Sequence, residues 1–197
     1  NSPGTVNLFA KLDYWDKKGR RFFRKNCQHS AQTAARQESH MSQSTPATKF
    51  LDKLHLPYTL HSYDYDPDPG RVGLQAAEEM GVPAARVFKT LMVLIDGKAA
   101  CALVPSDKQV NMKQLAALAG GKKAAMMPAP EAERFTAYKV GGISPLGWKR
   151  AAPVFVDKSA YDFESIYING GQRGLQILIA PDKLAAALSA RVDSFTV

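Results

Sequence analysis

Val87-Phe88-Lys89-Thr90-Leu91-Met92-Val93-Leu94-Ile95, then Asp96-Gly97, then Ala99 through Val104, is the stretch that decides the fold. Two apolar runs flank an Asp-Gly pair, and that pair tolerates the positive φ angles of a type I′ turn. The pattern predicts a β-hairpin, and its continuous apolar character predicts central, buried strands. Lys89 interrupts the first run. By alternation it lies opposite Phe88 and shares a face with Val87, Leu91 and Val93. A charge there is costly unless it is paired or lines a cavity. One reading is an edge lysine whose stem packs while its ammonium reaches water. The other is a cation that binds a phosphate or a developing negative charge.

On the N-terminal side of the hairpin, Ser44 or Thr45 suits a helix cap, Pro46 suits a first turn, and Phe50, Leu51 and Leu54 recur at helical spacing. This helix should end near His55, before Pro57. Tyr58 to Tyr63 alternates as a strand, and Asp64 to Gly70, with Pro67 and Pro69, breaks it. Gln75 to Met80 reads as a short helix stopped by Gly81. On the C-terminal side, Asn111 caps a helix through Leu118, and Pro130 to Phe135 gives a helical turn. Val140 to Pro153 is loop-like. Val154 to Val156, Ser165 to Ile168 and Leu175 to Ile179 read as strands, and Pro181 opens a closing helix through Leu188. The sum is a compact α/β or α+β domain over residues 41–197, a mixed sheet with several short helices.

The chain has 197 residues with 45% hydrophobic and 22% charged, the balance of a globular protein with a real core. Residues 1–40 carry eight basic and three acidic groups, so +5 of the total +8 lies there and +3 remains for the rest. Lys17 to Lys25 interleaves cations with Phe22 and Phe23, a composition that can bind RNA. Ser39-His40-Met41 reads instead as a junction ahead of a natural start, so residues 1–40 are expected to be a basic extension, disordered or of cloning or upstream-reading origin. No apolar run is long enough for a membrane helix and no secretory signal is evident, which gives an expected cytoplasmic location. Cys27 and Cys101 are too few for a disulfide framework, and His29, His40, His55 and His61 lack metal-ligand spacing. No metal and no cofactor is expected.

Two glycine loops join Lys89 as candidates for chemistry. Gly141-Gly142-Ile143-Ser144-Pro145-Leu146-Gly147 could bring backbone N–H groups close to a ligand carbonyl. Asn169-Gly170-Gly171-Gln172-Arg173-Gly174 places an amide before two glycines and a cation after them. Taken alone, each loop reads as an ordinary turn, the second with a solvated arginine. No Ser-His-Asp set and no nucleophile elbow accompanies them.

Val87-Phe88-Lys89-Thr90-Leu91, Gly141 to Gly147, and Ile168 to Leu175 together, in this order and spacing, resemble the YbaK family of Cys-tRNA(Pro) deacylases. Thr45-Pro46-Ala47 and His61-Ser62-Tyr63 extend the likeness, which runs from about residue 44 to 190. The resemblance implies an α+β fold, a partly barrel-like mixed sheet surrounded by short helices. It implies a trans-editing enzyme that clears cysteine mischarged onto tRNA(Pro), with the substrate's own thiol attacking its ester and no protein nucleophile. Lys89, Gly142 and Asn169 would then be catalytic. Tyr63, Gly141, Ser144, Gly170, Gly171, Arg173 and Gln176 would bind substrate, with backbone groups of Gly141 and Gly142 holding the aminoacyl moiety. Asn169 stands where the well-known enterobacterial relative carries serine, and Gln176 where it carries aspartate, which bears on amino-acid specificity. Misacylated tRNA is the implied partner, with prolyl-tRNA synthetase a second. The competing expectations are deacylation of Ala-tRNA(Pro) or another misacylated tRNA, and a non-catalytic module that binds aminoacyl-tRNA or the synthetase.

Overall fold

A computed structural model describes residues 44–66 and 72–197. The basic extension and the break around Pro67 to Gly70 lie outside the described residues. Five α-helices and eight strands are described, and all fall within the unit Gln43–Val197.

Helix α1 (Pro46–Lys53) starts at Thr45, as the cap residues predict. Thr45 and Thr48 close a reciprocal capping box, and the Thr45 hydroxyl also donates to Gly170 O at 2.6 Å. The helix start is thereby tied to a glycine loop far along the chain. Strand β1 (Thr59–Ser62) and helix α2 (Val72–Met80) follow, and α2 begins three residues earlier than its apolar spacing suggests. Strands β2 (Val87–Ile95) and β3 (Lys98–Pro105) form the antiparallel hairpin, with Asp96 at φ 48° and Gly97 at φ 78°. Two consecutive positive φ values are the signature of the expected turn. Asp96 further accepts from Lys122 N and Lys123 N, both at 2.9 Å, so the turn also holds the entry to β4.

Helix α3 (Met112–Leu118), capped by Asn111, leads to β4 (Ala124–Met126) and α4 (Ala129–Thr136). Then come β5 (Val154–Asp157), β6 (Ile166–Asn169), β7 (Leu175–Ile179), α5 (Pro181–Leu188) and β8 (Arg191–Asp193). The sheet order is β1-β7-β6-β2-β3-β5-β8, with β4 pairing β2 off that path. Parallel pairs (β2 with β6, β3 with β5, β5 with β8) mix with antiparallel ones, so the sheet is mixed as expected. The three-residue strands β4 and β8 escape the sequence pattern because so short a run carries no measurable alternation.

Alternation along β2 divides the core. Phe88 and Met92 point into the main cluster with Leu103, Ile168, Ile177 and Leu184, all buried. Val93 and Ile95 point the other way, packing with Val104, Leu115 and Phe195. Val87 joins Ala76, Ala77 and Tyr167 beneath α2. Each large side chain buried in these layers contributes about 1.5–3 kcal/mol. The second face carries Lys89, and there the packing opens.

Candidate functional site

A cavity of about 540 Å³ lies where β2 loses its outer neighbour, and its walls include Lys89, Thr90, Gly141, Ile143, Asn169 and Gln176. Strand β6 pairs with β2 only as far as Phe88, and β4 joins only from Val93. Ser106 N donates to Val87 O on the β3 side, so alternation turns the backbone groups of Phe88, Thr90 and Met92 toward the outer edge. Met127 N reaches Met92 O at 3.0 Å, leaving the Thr90 N–H and C=O without a strand partner. The cavity is therefore a gap in the sheet with a backbone donor and acceptor on its wall.

Register places four polar side chains in one row. Pairing of β2 with β6 ends at Phe88 and Ile168, one position before Lys89 and Asn169, which both line the cavity; Asn169 pairs with Gln176, and Gln176 with His61. Directly opposed residues share a face of the sheet. Lys89, Asn169, Gln176 and His61 thus run across four adjacent strands β2, β6, β7 and β1.

Lys89 Nζ donates to Ser106 O at 3.2 Å, and Ser106 Oγ donates to Val87 O at 2.8 Å. Burial lowers the ammonium pKa from its usual value, and Asp107 opposes that shift. A cation held partly dry costs stability but is electrostatically stronger than one in water. Asn169 Nδ2 donates to Gly141 O at 3.1 Å while its Oδ1 accepts from Gly171 N at 2.8 Å, so one amide bridges both glycine loops. Arg173 completes the clasp: Nε and Nη2 both donate to Val140 O, at 3.0 and 2.9 Å, and its guanidinium lies 5.4 Å from the Tyr65 ring centre. The arginine is exposed, as expected of a solvated side chain, and at the same time fastens one loop to the other.

Gly141 has φ 87°, a conformation that disfavours any side chain. Gly142 is constrained by approach instead, since a Cβ there would meet Arg173 N at 3.0 Å and Gln172 C at 3.1 Å. Its N–H donates to Lys139 O at 2.8 Å, so that group is engaged within the loop and not directed at a ligand. Ser144 is fully buried; its Oγ accepts from Leu146 N and its carbonyl accepts from Trp148 Nε1 at 2.6 Å. Gly170 O takes the Thr45 hydroxyl and Gly170 N donates to Leu175 O at 2.9 Å. Of the residues singled out from sequence, Lys89, Gly141, Asn169 and Gln176 meet at the cavity wall. Gly142, Ser144, Gly170, Gly171 and Arg173 build the loops behind it.

Tyr63 packs beneath α2 against Val87 and Tyr167, and its hydroxyl is buried with no hydrogen-bond partner. Burial pushes the phenol pKa up, and the neighbouring Gln176 side chain, just outside hydrogen-bond geometry, opposes it. Gln176 Oε1, Thr90 Oγ1 and His61 Nε2 are likewise buried without partners. Each such atom costs about 1–3 kcal/mol if left dry. Two of them, on Gln176 and Thr90, belong to residues of the cavity wall and mark a surface shaped for a polar ligand or for water. His61 and Thr90 were not singled out in the sequence; the period-two pattern assigned both to strands and nothing local marked their facing. His61 packs edge-on to Tyr167 at 5.1 Å, and burial first, then Arg86, lowers its pKa, so the imidazole is neutral at pH 7.

No group of three or more His, Cys, Asp or Glu that could hold a metal occurs among the described residues. Cys101 is fully buried and burial drives its thiol pKa upward, so it supplies no nucleophile. The cavity offers a cation, amides and backbone groups: the means to hold and polarise a carbonyl ester.

A mixed sheet carrying a lysine and two clasped glycine loops around a gap, with no serine, cysteine or carboxylate among the described residues of its wall, is the architecture of an editing domain. Residues 72–187 match the aminoacyl-tRNA editing domain family, and the chain belongs to it. Editing domains of this family are aminoacyl-tRNA deacylases, and the chain is an enzyme of that class, acting in translation. The Enterococcus faecalis protein EbsC, provisionally designated a Cys-tRNA(Pro)/Cys-tRNA(Cys) deacylase, is 29% identical over 78% of this chain and 94% of its own length. A proline–tRNA ligase of Nitratidesulfovibrio vulgaris is 32% identical over 46% of this chain, a match spanning 16% of the ligase. Among solved structures, the hypothetical protein APE2540 superposes with a TM-score of 0.69 at 25% identity, over 78% of this chain and 100% of that one. No helix among the described residues is long and apolar enough to cross a membrane.

Proposed function

We propose that the enzyme removes cysteine from mischarged tRNA(Pro). The substrate thiol attacks its own ester carbonyl, a C–S bond forms, the ester C–O bond breaks, and the thiol proton ends on the departing 3′ oxygen. The products are free tRNA and a cyclic thiolactone. The observation that carries this reading is Lys89: a partly desolvated cation on the cavity wall, with amides beside it and, among the described residues, no serine, cysteine or carboxylate on that wall, where Thr90 supplies the hydroxyl. Intramolecular attack needs positioning above all, and well-oriented intramolecular reactions reach effective molarities of about 10⁵–10⁸ M.

Lys89 stabilises charge on the carbonyl or departing oxygen, where one well-placed donor is worth about 10²–10³ in rate. Asn169 fixes Gly141 at the wall, and Gln176 with Tyr63 and the open Thr90 edge receives the aminoacyl group. Recognition of tRNA(Pro) by way of prolyl-tRNA synthetase fits the modest net +3 of residues 41–197. The relatedness to proline–tRNA ligases supports the same partnership.

A second reading has a specific observation in its favour. By the family resemblance, Asn169 and Gln176 stand where the enterobacterial relative carries serine and aspartate, and the unpartnered Gln176 Oε1 and Thr90 Oγ1 of the cavity wall suit a bound water. Alanine on tRNA(Pro) would then be removed by hydrolysis, water attacking in place of a thiol. Deacylation of Cys-tRNA(Pro) beside Ala-tRNA(Pro), with product analysis, decides between them. Thiolactone-derived product from the cysteinyl ester alone supports the first reading. Free alanine released at a comparable rate overturns it, and stoichiometric tRNA binding without turnover overturns both.

A further inference from the structure

We propose that a second, basic cavity holds backbone phosphates of the RNA whose acylated end occupies the Lys89 gap, an assignment that rests on the deacylase reading. The cavity measures about 370 Å³ and is walled by Lys98 from the β2–β3 turn, Glu131, Arg134 and Phe135 from α4, and Arg150 from the loop beyond. Lys98, Arg134 and Arg150 are exposed, and none of the three is ion-paired among the described residues. Three cations against one carboxylate in a single concavity is a concentrated charge for a domain whose net charge is only +3 over residues 41–197. Grooves lined by one sign of charge focus the potential and gather counter-charged ligands.

Helix α4 joins this cavity to the Lys89 gap. Ala129 and Ala132 line the gap, whereas Glu131, Arg134 and Phe135 line the basic cavity. At about 100° per residue these two sets occupy opposite sides of the helix, so the two cavities are separated by roughly one helix diameter, ~10 Å. A strand whose 3′ end enters the gap passes the basic cavity with its nearest phosphates.

One of the three cations, Arg150, is also held in place. The Arg150 guanidinium lies 4.7 Å from the centre of the Phe135 ring, and Phe135 meets Trp148 edge-on at 6.3 Å. Trp148 Nε1 donates to the carbonyl of Ser144 at 2.6 Å, within the glycine loop that supplies Gly141 and Ile143 to the gap. Arg150 therefore stands on a stacked ladder rooted in the loop that shapes the reacting site. A guanidinium held over an aromatic face keeps its donors free for phosphate.

The test uses the full chain and a fluorescent RNA hairpin with a single-stranded 3′ end and no amino acid, titrated at several salt concentrations. The Arg134→Ala/Arg150→Ala variant should bind more weakly, and the slope of log K against log salt should fall by about one per cation removed. Its KM for misacylated tRNA should rise with kcat retained, while cleavage of a short aminoacyl-adenosine stays at the wild-type rate. Unchanged hairpin affinity and slope overturn the proposal. Equal losses on aminoacyl-adenosine overturn it too, since the arginines would then act at the Lys89 gap. Inorganic phosphate is the control: if it binds the wild type through these arginines while hairpin binding ignores them, the cavity serves a free anion and the RNA assignment fails. Because the hairpin carries no ester, failure of the deacylase reading leaves this measurement intact.

Discussion

Asn169 on β6 and Gln176 on β7 are direct cross-strand partners, yet only one of the two amides is satisfied by the protein. Asn169 spends both ends of its amide on the glycine loops, whereas Gln176, 3% exposed, leaves Oε1 without a partner. The first amide holds the wall and the second faces what the wall encloses. Asn169→Ala should lower stability by about 1–3 kcal/mol, the cost of stranding Gly141 O and Gly171 N–H in a buried site. Gln176→Ala should leave the unfolding midpoint nearly unchanged and shift the ratio of cysteinyl to alanyl deacylation. Thermal melts and paired kinetics on both variants check this, and the opposite assignment of effects would reverse the two roles.

Lys89→Met should reduce deacylation by about 10²–10³-fold, the effect of deleting a preorganised donor. The same change should not destabilise the fold. The folded-state pKa of Lys89 lies below its usual value through burial, so the unfolded chain binds the proton more tightly and the charged form opposes folding. That penalty is present at neutral pH and is relieved as pH rises through the folded pKa toward the unfolded one. An activity loss accompanied by an equal loss of stability would make Lys89 a structural residue.

The hairpin was legible because Asp96-Gly97 and two apolar runs are local signals, and Thr45 and Asn111 announced their helices for the same reason. Lys89 was legible as an anomaly within a periodic run. The row it heads was not, because Lys89, Asn169, Gln176 and His61 meet through parallel and antiparallel pairings between segments up to 115 positions apart, His61 with Gln176. Register between distant strands is set by the packed sheet. Arg173 shows the same limit. Its neighbours in sequence predict a solvated turn and the side chain is indeed exposed, but the carbonyl it grips, that of Val140, arrives from another loop.

His61 should make the protein sensitive to mild acid. Burial and the Arg86 charge lower its folded pKa below the usual 6.5. The unfolded chain therefore takes up the proton first, and stability falls as pH drops from that ordinary value through the folded one. His61→Phe preserves an aromatic edge against Tyr167 and removes the proton site. The denaturant midpoint of the wild type should fall relative to that of His61→Phe as pH drops from 7 to 4.5, and parallel curves would show that His61 does not titrate on unfolding.

Cys101 should be dispensable for turnover, because the thiol that reacts belongs to the substrate. The side chain is fully buried on β3 and burial holds it in the protonated form. Cys101→Ala should lose roughly 1–2 kcal/mol of stability through the void it leaves, with kcat maintained. A variant that folds and fails to deacylate would place a protein thiol in the reaction.

Gly142 separates shape from chemistry. Its N–H is committed to Lys139 O, so a role as a direct donor to the substrate is not available, but its missing side chain is what lets the two loops touch. In Gly142→Ala the new Cβ would face the backbone of Gln172 and Arg173 at 3.0–3.1 Å, and backbone cannot rotate away as a side chain tip can. The loops must part, at a cost of about 1–3 kcal/mol for overpacking. Parting them weakens the bonds from Arg173 to Val140 O and from Asn169 to Gly141 O, and these set the distance from the wall to Lys89. Activity should fall at least tenfold while Lys89 remains in place, since misplacement by about 1 Å can cost 10²-fold. Arg173→Ala, which opens the same clasp without adding bulk, should reproduce the kinetic loss in part. If Gly142→Ala is inactive and Arg173→Ala is fully active, the clasp is not what positions the wall.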